Sequence, residues 1–177
     1  RTDNDPPPLP DAYAEIVRKR IAPLGLKVTF EPGRLIVGNA GILVAEVIYA
    51  KEGDAKNFLI VDAAMNDLIR PTLYDAFHDI RPVVVQPADA PRMTADVVGP
   101  ASETGDFLGL DRDLPKLKSG DLIAVGPAGA YGAVQAGTYN SRLLVPEVLV
   151  DGDRFHVVRP RGTYEELIAL DSVPDWL

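Results

Sequence analysis

The sequence predicts a mostly β protein, in which a C-terminal β domain of sandwich or Greek-key barrel type follows one helix–strand unit of an α/β (TIM-type) barrel. Two observations lead to this prediction. An amphipathic helical segment near the start of the chain is followed by one short apolar strand, the order found in a unit of an α/β barrel. After residue 40, short segments rich in valine and isoleucine recur at close spacing. A single unit cannot close a barrel, so we interpret residues 1–40 as a remnant of one and residues 41–177 as the β domain.

Composition narrows the function classes. The chain has 177 residues, 46% apolar and 25% charged, which is ordinary for one globular domain. It has no cysteine, which excludes disulfides, zinc–thiolate and iron–sulfur sites and a cysteine nucleophile; with only two histidines, no metal site is expected. A formal net charge of −8 makes a nucleic-acid or anionic-membrane partner a poor expectation, because attraction to phosphate supplies most of that affinity. No apolar run approaches about 18 residues, and the first thirty residues lack a signal-peptide core, so we expect a cytoplasmic protein.

The first forty residues contain the helix and the strand of the unit. Residues 1–10 include four prolines and are expected to be non-helical. Asp11 is the predicted N-cap of a helix, and Gly25 is its predicted end. The apolar residues that share one face of this helix are Tyr13, Ile16, Val17, Ile21 and Leu24. A short strand over residues 26–30 then ends in a turn at residues 31–34.

The rest of the chain reads as closely spaced strands with two short helices. The predicted strands span residues 42–49, 58–61, 83–86, 95–98, 122–125, 143–150 and 155–158. A hairpin turn is expected at residues 151–153, because the central glycine tolerates a positive φ. Residues 66–77 are predicted to be helical, with Pro71 in the first turn. Thr163 and Glu166 form a capping box that predicts a last short helix.

Two segments carry residue types suited to binding anions. In Glu31-Pro32-Gly33-Arg34, a glycine lets a backbone N–H approach a phosphate closely, and the arginine offers two donors to a carboxylate or phosphate; the alternative is a turn with an exposed arginine. Arg70 and Tyr74 are four residues apart, so on a helical turn they share a face. The alternative there is an ordinary helix start with an aliphatic core face.

Three further polar segments are ambiguous when each is taken alone. They are the loop at 99–106, the glycine-flanked Tyr131 at 129–132, and Tyr139-Asn140-Ser141-Arg142 at 139–142. Each has a plain loop as its alternative. We find no Ser-His-Asp arrangement, and neither a P-loop nor a dinucleotide-binding glycine motif occurs.

Five motifs occur in a fixed order: EPGR at 31–34, VDAAMNDLIRPTLYDAFH at 61–78, VVGPASETGD at 97–106, GDLIAVGPAGAY at 120–131 and YNSR at 139–142. Together they resemble the C-terminal part of the diaminopimelate decarboxylases, pyridoxal-phosphate enzymes that share an alanine-racemase-type barrel. The resemblance covers essentially all of this chain but somewhat under half of the family's length. It implies that the helix–strand unit is the last one of that barrel.

The resemblance also implies an activity and roles for individual residues. The implied activity is conversion of meso-2,6-diaminopimelate to L-lysine and CO2, a step of lysine biosynthesis, with pyridoxal 5'-phosphate as cofactor. The residues implied to bind the cofactor are Glu31, Pro32, Gly33, Arg34 and Tyr131. Those implied to bind the substrate are Arg34, Arg70, Tyr74, Glu103 and Tyr131. Glu103 is implied to read the distal amino group and, with residue 102, to reach into the partner subunit's site, which implies a homodimer.

The chain departs from the family's pattern in two ways. The family's Schiff-base lysine lies in the barrel half, which these 177 residues do not include, so we expect the isolated chain to be inactive. Ser102 stands where the family has the cysteine that is its presumed proton donor, and a serine hydroxyl is a far weaker acid. Ser102 is either an engineered replacement or a natural divergence. Two alternatives stay open: a related decarboxylase, such as one acting on carboxynorspermidine, or, for the isolated chain, a non-catalytic dimerisation or binding module.

Overall fold

The computed structural model describes residues 8–177. The α-helices in this range are α1 Pro10–Arg20, α2 Gly33–Val37, α3 Arg70–Tyr74 and α4 Tyr164–Ile168. The strands in this range are β1 Leu43–Lys51, β2 Phe58–Val61, β3 Asp79–Pro82, β4 Arg92–Val98, β5 Phe107–Pro115, β6 Leu122–Gly126, β7 Glu147–Asp151 and β8 Arg154–Arg159. Six strands form one sheet in the order β3-β6-β1-β2-β4-β5, and β7 pairs with β8 as a separate hairpin. The predicted mostly β architecture is confirmed.

The six-stranded sheet curls until its two edge strands meet, which gives a nearly closed barrel. Neighbouring strands are antiparallel except β2 and β4, which run parallel. The edge strands β3 and β5 touch at Ile80 and Gly109, where a Cβ added to the glycine would lie 3.0 Å from Ile80 Cδ1. A side chain at residue 109 would therefore push the two edges apart, and closing the sheet protects edges that would otherwise be unpaired.

The core lies inside this curled sheet. Its largest fully buried side chains are Leu59, Leu68, Leu108, Ile123, Val47, Val61, Val97 and Val125. They come mostly from alternate positions of the strands, as expected when one face of a strand points inward. Full burial of each such side chain stabilises the fold by roughly 1.5–3 kcal/mol. The valine- and isoleucine-rich pattern that predicted the strands is thus the pattern of this core.

The first forty residues differ from the expectation at several points. The predicted strand over residues 26–30 is wrong: the segment pairs with no strand within residues 8–177, and Leu26 and Phe30 are exposed. A strand needs a neighbour for its backbone hydrogen bonds, and this stretch of chain supplies none. The predicted cap at Asp11 is also wrong, because α1 begins at Pro10 and Asp11 lies in its first turn, where an acidic side chain favours the helix dipole.

The rest of the N-terminal segment agrees with the sequence in part. Residues 1–10 were predicted to be non-helical: residues 1–7 lie outside the described range, Pro8 and Leu9 are non-helical, and the prediction is wrong at Pro10, which begins α1. The predicted end of the helix at Gly25 is wrong for α1, which ends at Arg20; Gly25, with a left-handed φ of 63°, instead ends the short 3-10 helix Ala22–Leu24 that follows. Helix α1 has no buried residue in this chain. The division at residue 40 stays a prediction.

Within the β domain, one strand is displaced and one was missed. Residues 83–86 are not a strand, because pairing with β6 stops at Val83 and the chain turns away, leaving Val84 and Val85 in solvent. Strand β3 instead covers the four residues before them. Strand β5 was not predicted, since charged residues interrupt its apolar pattern and Asp111 adopts a positive φ of 50°.

The helix predicted before β3 and the first strand of the hairpin are present but shorter than predicted. The helix predicted over residues 66–77 shrinks to α3, which ends at Asp75 with a left-handed φ of 50°. The strand predicted from residue 143 starts only after Pro146, which has no N–H for a ladder. The hairpin turn at Gly152, with φ of 62°, and the capping box of α4 are confirmed. No helix among the described residues is long and apolar enough to cross a bilayer.

Candidate functional site

Two arginines and two tyrosines from three parts of the chain meet at one end of the barrel. The Arg34 Cζ atom lies 5.9 Å from the centroid of the Tyr131 ring. The Arg70 Cζ atom lies 5.7 Å from the same centroid and 5.8 Å from that of Tyr74. These distances are within the range of cation–π attraction, so Tyr131 holds both guanidinium groups beside it. Helix α2, helix α3 and the loop after β6 thereby converge.

This cluster carries two positive charges, and the carboxylate of Asp75 also lines the cavity beside it. Within residues 8–177, neither Arg34 nor Arg70 forms an ion pair with a carboxylate. The pKa of Arg70 is lowered first by burial and then by the charge of Arg34. A guanidinium stays protonated in proteins, so the two positive charges persist side by side. Such an arrangement favours an anionic ligand, because a carboxylate or phosphate would accept hydrogen bonds from both.

A cavity of about 200 Å³ opens between the two arginines. Its walls include Arg34, Gly38, Arg70, Tyr74 and His78. Whole ligand pockets are usually about 300–1,000 Å³, so this space suits one polar group of a ligand and not a complete ligand.

His78 is a buried titratable group at the back of this cavity. It is 3% exposed, and neither ring nitrogen makes a hydrogen bond of ordinary geometry. Burial lowers the pKa of His78 to about 4; the charges of Arg70, Arg112 and Arg34 add to this, and the Pro127 backbone opposes it. The imidazole is thus neutral at pH 7 and leaves the positive charge of the cavity to the arginines.

The Gly33 turn forms the rim of the same cluster. A Cβ added to Gly33 would lie 3.1 Å from Tyr131 Oη, so the absence of a side chain leaves room beside the tyrosine. The Gly33 N–H donates to the Glu31 carbonyl oxygen at 2.9 Å. Glu31 and Pro32 are exposed on the outside of the turn. The space beside Gly33 and the positive charge of Arg34 suit a phosphate group. Because the Gly33 N–H already donates to Glu31, the available donor in this conformation is the Arg34 guanidinium.

A network of hydrogen bonds holds the loop of residues 99–106, which lies apart from the arginine cluster. The buried Asp106 carboxylate accepts hydrogen bonds from the backbone N–H of Met65 and of Ala101, each at 2.6 Å. The Gly99 N–H donates to the Asp106 carbonyl oxygen at 3.0 Å, which closes the base of the loop. The Thr72 hydroxyl donates to the Gly105 carbonyl oxygen and ties the loop to α3. The loop is thus held in one shape although its tip is exposed.

The tip of this loop presents a carboxylate. Ser102 and Glu103 are both exposed. One Glu103 oxygen, Oε1, accepts from the Gly105 N–H at 3.2 Å and from the Thr104 hydroxyl at 3.1 Å; the other, Oε2, accepts from the Tyr139 hydroxyl at 3.1 Å. These donors lower the pKa of Glu103, with Gly105 contributing most and Tyr139 next. The carboxylate is therefore ionised at neutral pH and its orientation is fixed.

Arg142 holds the segment that contains Tyr139. Its Nε donates to Asn66 Oδ1 at 2.9 Å, and its Nη2 donates to the Asp62 carbonyl oxygen at 2.5 Å. The same nitrogen lies 3.5 Å from the buried Asp67 carboxylate, whose pKa is raised by burial in spite of Arg142. These contacts fasten residues 139–142 to the segment that precedes α3.

Residues 11–129 match the family model described as pyridoxal-dependent decarboxylase, C-terminal sheet domain. The chain belongs to this family. The match confirms the family resemblance drawn from the five motifs, and pyridoxal dependence is part of the family's description.

Individual decarboxylases are similar along nearly the whole chain. The diaminopimelate decarboxylase of Pseudomonas aeruginosa is 51% identical over 173 residues, which cover 98% of this chain and 41% of that protein. The structure of diaminopimelate decarboxylase from Helicobacter pylori complexed with L-lysine is 39% identical and has a TM-score of 0.84, covering 95% of this chain and 41% of that one. The enzyme from M. jannaschii in co-complex with L-lysine is 32% identical with a TM-score of 0.89, covering 99% and 41%. The chain thus spans about two fifths of the length of these decarboxylases.

The residues expected to form the decarboxylase site fall into two groups in this domain. Arg34, Arg70, Tyr74 and Tyr131 are brought together, with Gly33 beside them. Ser102 and Glu103 lie on the other loop, and no direct contact within residues 8–177 joins them to the first group. Among the described residues, the Thr72 hydrogen bond to Gly105 links the second group to α3, which carries Arg70 and Tyr74.

Sequence reasoning gave no role to three residues that shape this part of the decarboxylase domain. His78 closes the back of the cavity, Asp106 fixes the loop, and Tyr139 holds Glu103. Tyr139 lies in the YNSR motif, whose polar character between two strands was the available signal. No local signal separates a buried, hydrogen-bonded aspartate such as Asp106 from an exposed one.

Proposed function

We propose that this chain is the C-terminal part of a carboxy-lyase that uses pyridoxal 5'-phosphate to convert meso-2,6-diaminopimelate to L-lysine and CO2 in lysine biosynthesis. The observation that carries the proposal is the 51% identity to a diaminopimelate decarboxylase over 98% of the chain. The solved relatives complexed with L-lysine, the product of that reaction, agree with it. Among these relatives nothing favours a carboxynorspermidine decarboxylase.

The unpaired arginines would bind the substrate carboxylate. Neither Arg34 nor Arg70 pairs with a carboxylate among the residues that the structure describes, and a substrate carboxylate beside them would accept charge-assisted hydrogen bonds from both. The Tyr74 and Tyr131 rings keep the guanidinium groups in place and offer hydroxyl groups at the same rim. Diaminopimelate has an amino-acid group at each end, so the end that does not react presents both a carboxylate and an ammonium. Glu103 supplies the complementary charge for that ammonium.

The Gly33 turn would hold the cofactor phosphate. Gly33 leaves space next to Tyr131, and Arg34 supplies a positive charge at the rim; Glu31 and Pro32 shape the turn. In the proposed arrangement Tyr131 lies against both cofactor and substrate. The cofactor, when bound, supplies the electron sink that makes loss of CO2 from the α-carbon feasible.

Ser102 would occupy the proton-donor position. Its side chain is exposed at the tip of a loop whose base is fixed by Asp106, so the hydroxyl would be presented to a site and not buried in its own domain. A hydroxyl whose pKa is far above 7 transfers a proton poorly near neutral pH. Ser102 would hold the proton, or a water molecule that carries it, and act more slowly than a thiol.

We also propose that the protein is a cytoplasmic homodimer with shared sites. The preorganised loop with Ser102 and Glu103 at its tip is suited to insertion into a partner's site. We further propose that residues 1–40 belong to the cofactor-binding barrel and 41–177 to the β domain. In support, α1 buries none of its residues here, and the apolar side chains of 26–30 are exposed, as expected for segments that pack elsewhere.

The test is turnover by the full-length protein. The gene upstream of Arg1 is read for a cofactor-anchoring lysine, and the whole protein is incubated with pyridoxal phosphate and meso-diaminopimelate. We expect equal amounts of CO2 and L-lysine. Absence of turnover on diaminopimelate, or faster turnover of carboxynorspermidine, would overturn the proposal.

A further inference from the structure

We propose that Tyr139 is a positioning residue, which fixes the Glu103 carboxylate so that it selects substrates with a distal ammonium group. The inference rests on the proposed function and deepens it. The Tyr139 hydroxyl donates to Glu103 Oε2 at 3.1 Å and joins two loops that are remote in sequence. Nothing in the five motifs assigns the tyrosine this contact.

Among the described residues, the hydrogen bonds to Glu103 leave an acceptor position open on Oε2. A carboxylate has about four lone-pair positions. Gly105 and Thr104 use two of them at Oε1, and Tyr139 uses one at Oε2. The remaining position is free for an incoming ammonium. Because each oxygen accepts a hydrogen bond from the protein, these bonds resist rotation of the carboxylate plane away from that ligand.

Tyr139 is itself held rigidly enough to orient another residue. The next two residues, Asn140 and Ser141, have left-handed φ values of 58° and 56°, which are uncommon for residues with a side chain. Arg142 then ties the turn to the Asp62 carbonyl oxygen and to Asn66. The turn thus delivers the phenol to a fixed point above the loop of residues 99–106.

The hydrogen bond between Tyr139 and Glu103 shifts the pKa of both side chains. The hydrogen bond helps to lower the pKa of Glu103, and Glu103 in turn raises the pKa of Tyr139. At neutral pH the pair is therefore a charged acceptor and a neutral donor, the stronger kind of hydrogen bond. Loss of the phenol hydroxyl would leave Oε2 without a protein donor and would let an exposed glutamate adopt other rotamers.

The experiment is a double-mutant cycle in the full-length enzyme with pyridoxal phosphate. Tyr139→Phe, Glu103→Gln and the double variant are compared for kcat and KM on meso-diaminopimelate. Binding of 2-aminopimelate, which lacks the distal amino group, is measured as its inhibition constant. Tyr49→Phe is the matched control, because Tyr49 is 58% exposed against 51% for Tyr139 and lies outside both site groups.

We expect Tyr139→Phe to lower kcat/KM on diaminopimelate about tenfold, the worth of one hydrogen bond, chiefly through KM. The inhibition constant of 2-aminopimelate should not change, and Tyr139→Phe should have no further effect in the Glu103→Gln background. Tyr49→Phe should behave as wild type. Equal weakening of both ligands, independent effects of the two substitutions, or an unaffected Tyr139→Phe would overturn the positioning role alone. A wild-type protein without turnover would overturn the proposed function and this inference together.

Discussion

Removal of the Arg70 guanidinium tests the proposed carboxylate site most directly. In Arg70→Ala, a bound carboxylate loses one charge-assisted hydrogen-bond donor, which is worth about 1.5–3 kcal/mol. At about 1.4 kcal/mol per factor of ten, kcat/KM on diaminopimelate should fall roughly 10- to 150-fold. Arg34→Ala should have an effect of the same size, because the Arg34 Cζ atom lies 5.9 Å from the centroid of the Tyr131 ring and the Arg70 Cζ atom lies 5.7 Å from it.

The cost to folding should be much smaller. Arg70 contacts two tyrosine rings, and each cation–π contact at a solvent-accessible position is worth about 0.5–1 kcal/mol. Its removal also relieves repulsion from Arg34, which partly offsets this loss. We therefore expect at most about 1–2 kcal/mol of destabilisation, so the variant should fold.

The assay is steady-state release of CO2 by the full-length enzyme, with Arg92→Ala as the matched control. Arg92 pairs with the Asp113 side chain across β4 and β5 at 2.9 Å and is half exposed, so its loss should cost less than about 1 kcal/mol of stability and leave kinetics unchanged. A lower melting temperature for Arg70→Ala with wild-type kcat/KM in the folded fraction would refute the carboxylate role. Arg70 would then be a structural residue only.

Three further outcomes are expected of the full-length protein. Ser102→Cys should raise the decarboxylation rate by up to about 10²–10⁴-fold, the usual contribution of a general acid, whereas equal rates would remove residue 102 from proton transfer. Glu103→Ala mixed and refolded with a variant that lacks the cofactor-anchoring lysine should recover about a quarter of wild-type activity. About half of the dimers would be mixed, and each mixed dimer would have one intact site out of two. Heterodimers without activity would place Glu103 in its own subunit's site or in none. Burial lowers the pKa of His78 to about 4 in the folded protein, whereas the imidazole has a pKa of about 6.5 in the unfolded chain. Between these two pH values the unfolded chain binds the proton and the folded protein does not. The contribution of neutral His78 to stability is therefore fully present above pH 6.5 and is lost as the pH falls toward 4. Urea unfolding should show about 2 kcal/mol less stability at pH 5 than at pH 7, a difference that should shrink in His78→Gln; an unchanged pH dependence in that variant would mean that the imidazole titrates normally.

The strands that form the core were predictable from the sequence because burial leaves a composition signal. The run of apolar residues at β1 and β2 could be located to within one or two residues for that reason. The same signal failed for residues 26–30, whose apolar side chains are exposed and which pair with no strand within residues 8–177. The composition signal also failed for β5, which contains the charged residues Asp111 and Arg112. This strand belongs to the sheet because it pairs with β4, and its own hydropathy does not mark it as a strand.

The site was predictable only through the family resemblance. Local chemistry could mark Arg34, Arg70 and Tyr131 as capable of binding an anion, but not place them around one cavity, because they lie on three elements that meet only in the folded barrel. The hydrogen bond from Tyr139 to Glu103 depends on the shapes of two loops, and loop shape leaves little trace in composition. Sequence therefore identified the candidates, and the fold determined which of them act together.

The strand order has a consequence for how the anion site comes into existence during folding. Strand β6 lies between β3 and β1, and its pairing joins Leu43 to Val125 and Ile80 to the same valine. These are contacts of high sequence separation, which form slowly because a long loop must close first. Tyr131 follows β6 directly, so it reaches the arginines only after that closure. On a ribosome, the site would remain unassembled until the chain had been synthesised well past β6, and a nascent chain that stopped earlier would carry both arginines without Tyr131.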